Sequence, residues 1–413
     1  MNKFRMCERI VQQVLLVLYF LLSYNAVQGD KKVSKLEDME LEKQLALLNK
    51  PSIKTIKTNY GDIYDCVNFY KQPGFDHLLL KDHNFHPKMK PNLFRINQNS
   101  SASTSSKSLI LLSEDGGCPS GTVPIKRITK DDLIRHKLMP LPENVIFDAQ
   151  FPHTNNNSEP KERYMSSKGY KVATARTPSD PFIKYGGAGM VTSLYNPHVK
   201  GQQHSACRLK IQAESDIIQV GWRVDPLLYG DTKTRLFVHF QAGKIHCFNT
   251  LCPGFIQVST EIPPDISYED HVSQRGGKIW EDTMYIERDL VNGNWWLLME
   301  DDYTQVGFWP QNLFTGLAGF ATTVSWGGVA YSPPNVAKPP MGSSFFPIKN
   351  SGYDAYCKKI ATLNVRGQTI AVDKTITHVD NPIMYNVLFE RLWVGSKSSL
   401  YVLYGGPGQS RES

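Results

Sequence analysis

Gln219 and Arg223 are the residues whose type and spacing first indicate chemistry in this sequence. They alternate with apolar residues over 217–224, which is the period-2 pattern of a β-strand with one polar face. On such a face an amide can hydrogen-bond but cannot take up a proton near working pH, and an arginine can contact a peptide carbonyl. This polar side is either solvated or the floor of a cleft.

The elements that position these side chains are predicted to be strands. Pro226 ends the first run, a second β-type run follows over 235–240, and Ala242 and Gly243 turn the chain. From residue 164 onward, short apolar or alternating runs recur between Gly, Pro and Asn, without a long helical period. We therefore predict a mainly β protein, with an antiparallel β-sandwich or barrel over residues 164–413.

The composition excludes some classes of function. The 413 residues allow two domains, 41% hydrophobic residues suffice for a core, and the net charge of +7 is modest. No dense stripe of Lys and Arg accompanies a recognition motif, so we expect no nucleic-acid partner.

Residues 1–29 have the pattern of a secretory signal peptide. A charged start precedes an apolar core, and small residues offer a cleavage site before Asp30. No later segment is long and apolar enough to cross a bilayer. We therefore expect a secreted, extracellular protein with no membrane contact after signal removal.

Helical and strand signals are mixed in residues 30–142. Ser34 with Glu37 makes a capping box for a helix to Asn49, and a second helix is predicted over 129–136. Residues 63–70 read as a strand. A smaller α+β region is thus expected before the β-sandwich.

Several long, ordered and unusual motifs follow one another along the chain: Gly221–Pro226, Leu227–Asp231, Thr234–Phe237, Cys247–Phe255, Gly293–Leu297 and Gly307–Pro310. Through these motifs the sequence resembles the neprosin family of plant secreted proteins. The N-terminal half resembles the family's activation peptide, notably over 118–127. The resemblance implies an antiparallel β-sandwich and the activity of a glutamic peptidase that cuts next to proline.

The same resemblance implies the domain organisation. It assigns an activation-peptide-like pro-region to 30–142, a linker in which the pro-part is cut to 143–163, and the neprosin-like domain to 164–413. Pro152 and Pro160 lie in this linker, so proline-directed maturation would be feasible there.

Both catalytic glutamates of the family are replaced in this sequence. The first sits two residues before the Gly-Trp pair, where this chain has Gln219, and the second follows a Gly-Gly pair, where this chain has Val329. Peptidase chemistry of this kind needs two carboxyls with separated pKa values. We therefore expect a catalytically inactive protein.

The cleft could survive the loss of its acids. Aromatic faces suit proline rings, so a proline-rich peptide or wall protein is the expected partner. The candidate cleft residues are Trp222, Arg223, Trp295, Trp309 and Tyr331.

Two other functions stay open. An active acid peptidase could use other carboxylates. The nearest in sequence are Glu214, Asp216, Asp225 and Glu300, none of which occupies the required strand positions. The same aromatic residues could instead bind carbohydrate in the cell wall.

The cysteines agree with an oxidising compartment. Six remain after removal of Cys7 with the signal peptide. Cys247 with Cys252 is predicted to close a small loop, as in the family, and Cys66 with Cys118 would staple the N-terminal region. Cys207 and Cys357 are left by elimination, and their pairing stays open.

Modification sites and bound groups complete the expectations. Asn99 and Asn156 are sequons in polar stretches and are predicted to carry glycans. No metal or other cofactor is expected, because no Cys-x-x-Cys pair is present and thiolates in a secreted chain usually oxidise.

Overall fold

The computed structural model describes residues 35–93, 112, 116–143, 146–147, 164–165, 169–394 and 396–409. The predicted signal peptide and the predicted glycosylation sites Asn99 and Asn156 lie outside these residues.

The N-terminal part contains two helices and a small sheet. Helix α1 covers 35–48, and the elements that follow are β1 (Ser52–Lys57), β2 (Ile63–Asn68), β3 (Thr122–Lys126) and α2 (Lys130–His136). Three 3-10 turns lie at Phe69–Lys71, Pro73–Asp76 and Leu78–Leu80. Strands β1, β2 and β3 form an antiparallel sheet. The predicted α+β character of this part is confirmed.

The rest of the described chain is almost entirely β. Its elements are β4 (Ile146–Phe147), β5 (Tyr164–Met165), β6 (Tyr170–Arg176), β7 (Gly187–Ser193), β8 (His204–Ala213), β9 (Asp216–Val224), α3 (Pro226–Tyr229), β10 (Arg235–Ala242), β11 (Ile245–Phe248), β12 (Ile256–Gln257), β13 (Glu281–Arg288), β14 (Trp295–Met299), β15 (Thr304–Trp309), a 3-10 turn at Gln311–Leu313, β16 (Thr323–Tyr331), β17 (Met341–Gly342), β18 (Ala355–Leu363), β19 (Thr369–Ala371), β20 (Ile376–Val379), β21 (Asn386–Val394) and β22 (Lys397–Gly406).

Two antiparallel sheets pack face to face. One has the order β11-β10-β9-β8-β16-β6-β20. The other runs β12-β15-β14-β13-β7-β18-β22-β17, with β19 on β18 and β21 on β22. The predicted antiparallel β-sandwich is confirmed.

Tryptophan indoles join the two sheets across the core. Trp222 Nε1 donates to the carbonyl oxygen of Ser193 (2.9 Å), and Trp326 Nε1 donates to that of Gly189 (3.2 Å). Both tryptophans come from the seven-stranded sheet and both acceptors lie on β7 of the other sheet. A buried indole needs a partner for its N–H, so these bonds also set how the sheets are aligned.

The N-terminal part is docked on the sandwich by buried polar contacts. Gln72 donates to the carbonyl of Gln257 (3.1 Å) and accepts from its amide (2.8 Å). Arg235 pairs with Asp62. Such contacts are stable only when both partners stay in place, because each group is removed from water.

The disulfides Cys66–Cys118 and Cys247–Cys252 are formed, as predicted. Cys207 and Cys357 are buried thiols whose sulfurs lie 3.4 Å apart between the two sheets. Among the described residues, no helix has the length and apolar character needed to cross a membrane.

Replacement of Gly221 by Ala tests the close approach of β8 and β9. A Cβ at this position would clash with the carbonyl oxygen of Cys207. We expect Gly221→Ala to lower the free energy of unfolding by about 1–3 kcal/mol, measured by denaturant titration of tryptophan fluorescence. Gly319→Ala is the control, since its Cβ would have no neighbour closer than 3.6 Å. Equal stabilities of the two variants would contradict the packing described.

Candidate functional site

The outer side of the seven-stranded sheet carries the polar residues. Lys210 on β8 lies opposite Gln219 on β9 and Ser325 on β16, and His239 on β10 lies on the far side of Gln219. Because directly opposed residues share a face, the registers place a set of side chains together. We call this set the polar face: His204, Arg208, Lys210, Gln219, Arg223, His239, Ser325, Val329 and Tyr331.

A segment of the N-terminal part covers the polar face. Residues 139–143, here called the covering segment, follow α2. Tyr170 Oη donates to the carbonyl oxygen of Leu141 (2.9 Å), while Pro142 and Glu143 are buried. A cavity of about 670 Å³, lined in part by Met139, Pro140 and Phe248, lies beside it. The polar face is therefore buried in this structure.

Glu143 forms an ion pair with Arg208 at the centre of the face. Arg208 Nη2 donates to both carboxylate oxygens (2.7 and 2.8 Å) and Nε donates to one of them (3.2 Å). Arg208 Nη1 also donates to Ser325 Oγ (3.4 Å). The exposed fractions are 1% for Arg208 and 5% for Glu143. Removal of one partner from a buried pair costs about 3–5 kcal/mol, because an uncompensated charge remains.

Gln219 lies against a neutral histidine. Its Nε2 donates to Nδ1 of His239 (3.3 Å). Burial, followed by the neighbouring charge of His246, holds the pKa of His239 well below its usual value. This pair has a hydrogen bond but neither an ionised carboxylate nor a basic imidazole, so it cannot activate water as a glutamate would.

Val329 lies in an apolar cluster on the same face. Tyr170, Val172, Ala206 and Tyr331 belong to this cluster. Val329 is opposite Ala206 on β8, whereas Gln219 is opposite Lys210. The two positions are thus separated by four residues of β8, about 13 Å along the strand. Arg208 lies between them, so the Glu143–Arg208 pair fills the space between the two acid positions implied by the resemblance.

Lys210 is buried beside Arg208. Burial, reinforced by the Arg208 charge, lowers the pKa of Lys210 to about 7, although Glu143 opposes the shift. The protonation of Lys210 therefore changes near neutral pH and depends on the charges of Arg208 and Glu143.

Asp225 serves the structure of the polar face. It accepts from Arg223 Nε and Nη2 (2.8 and 2.6 Å) and from the backbone amides of Leu227 and Leu228 at the start of α3. Arg223 Nη2 also donates to Nδ1 of His204 (3.0 Å). A carboxylate engaged in this way caps a helix and neutralises an arginine, so it is not placed to exchange protons with water.

Asp216 also has a structural role, since it binds backbone amides. Its Oδ2 accepts from the amides of Thr315, Gly316 and Leu317 at 2.7, 2.7 and 3.2 Å. Glu214 and Glu300 have positive φ angles of 53° and 63°, and both follow the end of a strand. None of the four alternative acids is a cross-strand neighbour of Gln219, whose partners on β8 and β10 are Lys210 and His239.

Three of the predicted cleft residues belong to the core. Trp222, Trp295 and Trp309 are fully buried within the main hydrophobic cluster, so the prediction that they line a cleft is wrong. Trp222 alternates with Gln219 along β9 and therefore points to the other side of the strand. The same alternation, visible in the sequence, could have excluded it.

Arg223 and Tyr331 do lie on the polar face. The Tyr331 ring stacks on His204, with centroids 5.1 Å apart, and Tyr170 lies 4.8 Å away. Sequence reasoning missed Glu143, Arg208, Lys210 and His239. Arg208 and Lys210 alternate with apolar residues on β8, which is a readable signal, but Glu143 is 65 residues distant from Arg208 and has no local signal.

Metal ligation has no support in this part of the chain. Within the described ranges no group of three or more His, Cys, Asp or Glu side chains could hold a metal ion.

Comparison with known proteins gives two family matches. The model described as Neprosin matches residues 201–407, and the model described as Neprosin activation peptide matches residues 55–176. The polar face lies within the residues covered by the first model, and the covering segment lies within the second.

Two solved structures are also similar. Scytalido-glutamic peptidase with a peptide-based transition state analog is 9% identical, covers 58% of this chain and 98% of its own, and has a TM-score of 0.30. SCP-B of the Eqolisin family of peptidases, in complex with the tripeptide Ala-Ile-His, is 9% identical, covers 57% of this chain and 98% of its own, and has a TM-score of 0.29.

Lys210→Met tests the electrostatics of the polar face through the pH dependence of stability. Below about pH 7, Lys210 is charged in both the folded and the unfolded state, so burial of its charge lowers the free energy of unfolding by the full amount. Between about pH 7 and the unfolded value of 10.5 the unfolded state binds more protons, and wild-type stability rises with pH. We therefore expect Lys210→Met to raise the unfolding free energy most at acid pH, with the gain shrinking above neutrality.

The measurement is denaturant unfolding across this pH range. Lys359→Met removes an exposed lysine from the other sheet and is the control, for which we expect no such trend. A gain that is independent of pH would contradict the buried charge of Lys210.

Proposed function

Since the chain belongs to the neprosin family, we propose that it is a secreted member that has lost peptidase chemistry and binds an extended, proline-containing peptide on its polar face. The observation that carries this proposal is the covering segment. The chain lays its own proline-containing stretch, with Pro140 and Pro142, over the side of the sheet where the implied acids would stand.

Loss of catalysis is supported by what occupies the two acid positions. A glutamic peptidase needs one carboxylate that takes a proton from water and a second acid that polarises the scissile carbonyl or protonates the leaving amine. Gln219 is bonded to a neutral His239, and Val329 is packed among apolar side chains. Glu143 and Asp225 are each held by an arginine. None of these arrangements supplies a pair of carboxyls at one site.

Peptide binding is supported by how the covering segment is held. Tyr170 binds a backbone carbonyl, and Arg208 binds a side chain two residues later. Contacts of this kind recognise an extended chain, in which carbonyls and alternate side chains are presented to a surface. The rings of Tyr170, Tyr331 and His204 add apolar area beside the prolines' path.

Secretion is part of the proposal. The predicted signal peptide and the two disulfides fit an oxidising compartment, where a cleaved linker over 143–163 would let the covering segment leave. The expected partner is therefore an extracellular proline-rich protein, such as one of the cell wall.

Absence of cleavage is the first test. We expect purified full-length protein, cut by a specific protease at a site inserted between residues 148 and 160, to leave proline-containing peptides intact at acid pH. The measurement is mass spectrometry of the products. Turnover that copurifies with the protein and is lost in Gln219→Ala would refute the loss of catalysis.

Binding of a peptide is the second test. A labelled peptide that copies residues 139–143 should bind to the same cut protein carrying Glu143→Gln, in which the grip on the covering segment is weakened, and should bind more weakly to the uncut wild type. The readout is fluorescence anisotropy. A control peptide with Ala at both proline positions should lose affinity, because the unrestrained chain costs more entropy to order. Equal affinities of the two peptides would exclude proline recognition.

A further inference from the structure

The polar face is rich in positive charge for a buried surface. Arg208, Lys210 and Arg223 are 1%, 3% and 4% exposed. Arg223 pairs with Asp225 of the same domain, whereas the carboxylate bound to Arg208 comes from the covering segment. Departure of that segment would remove the Glu143 carboxylate from Arg208, two residues from Lys210 on β8.

Such a surface favours a carboxylate over a neutral group. A guanidinium in a site shielded from water forms its strongest bonds with a carboxylate, whose two oxygens match its donors. Lys210 on the same face adds attraction for an anion, and Glu143 already acts on its pKa. Ser325 Oγ holds the guanidinium from the far side, so the orientation of Arg208 does not depend on the ligand alone.

Two buried histidine nitrogens on the polar face have no hydrogen-bond partner among the described residues. Nε2 of His239 and Nε2 of His204 are buried without a hydrogen-bond partner in the described part of the chain. Because Nδ1 of each ring accepts a bond, from Gln219 and Arg223 respectively, the neutral rings carry their proton on Nε2. A bound ligand with further oxygen atoms could satisfy these N–H groups.

We infer that Arg208 and Lys210, with Ser325, form a carboxylate subsite that selects peptides in which Glu or Asp directly follows proline. The inference rests on the proposed function, whose peptide-binding face it uses. Glu143 occupies the subsite in the uncut chain as an internal copy of the ligand.

The covering segment supplies the register of this recognition. Tyr170 binds the carbonyl of Leu141, Pro142 is buried next, and the carboxylate of Glu143 reaches Arg208. A ligand laid along the same path would place its acid immediately after a proline and two residues after the carbonyl that Tyr170 binds. Selectivity thus depends on position as well as on charge.

Matched peptides test the subsite. The protein is the full chain with Glu143→Gln, cut between residues 148 and 160, and the probes are the amidated peptides Met-Pro-Leu-Pro-Glu and Met-Pro-Leu-Pro-Gln. We expect the Glu peptide to bind at least about tenfold more tightly. A hydrogen bond from Arg208 to a carboxylate contributes more binding free energy than one to a neutral amide. The affinities are measured by fluorescence anisotropy or calorimetry.

Variants of the protein locate the preference. Arg208→Gln in the same background should abolish the preference for Glu, and Arg208→Lys should retain part of it, because the charge remains while the paired donors are lost. Lys359→Gln removes one positive charge from the other sheet and should keep the full preference. Circular dichroism establishes that each variant is folded.

Distinct outcomes separate this inference from the proposed function. Equal binding of the two peptides would overturn the subsite and leave peptide binding standing, whereas no binding of either would overturn both. Equally tight binding of the Gln peptide with a free C-terminal carboxylate would overturn selection of an acidic side chain. Binding of oligogalacturonate but of neither peptide would overturn the assignment to peptides.

Discussion

The ion pair between Glu143 and Arg208 is the interaction on which the arrangement of the polar face depends. Two charged groups taken out of water are tolerated only as a hydrogen-bonded pair, so the carboxylate must stay wherever the guanidinium is buried. This requirement brings the covering segment back over the sheet from the end of α2. It thereby places Leu141 at Tyr170 and buries Pro142.

The same pair explains the chemistry of its neighbours. With the face covered, His204 and His239 are too poorly solvated to carry charge, and burial lowers their pKa values well below the usual range. Gln219 therefore faces a neutral ring. The amide and the neutral imidazoles give this face hydrogen-bonding groups, and Val329 adds apolar area.

The polar face lies on strands whose opposite side is bonded to the second sheet of the sandwich. Trp222 and Trp326 bond across the core to β7, so the backbone under Gln219 and Gly327 is anchored to the second sheet. Side chains on the outer side can then differ in type without altering the packing between the sheets. The fold is separable from the chemistry of the polar face because the two use opposite sides of the same strands.

Much of this architecture followed from the sequence alone, because the signals are local. Period-2 alternation predicted the strands, and proline and glycine marked their ends. The alternation of Gln219 with Trp222 could also have placed them on opposite sides of β9, although Trp222 was predicted to line the cleft. The amide at 219 and the valine at 329 were equally visible, as was their difference from the acids that the resemblance implies. The pairing of Glu143 with Arg208 was not, since the two residues are 65 positions apart and no pattern links a carboxylate in a proline-containing segment to one arginine on a strand. That contact forms only in the folded protein, where the Arg208 guanidinium is buried and is stable only beside a counterion. The requirement comes from the tertiary structure, so the local sequence carries no sign of it.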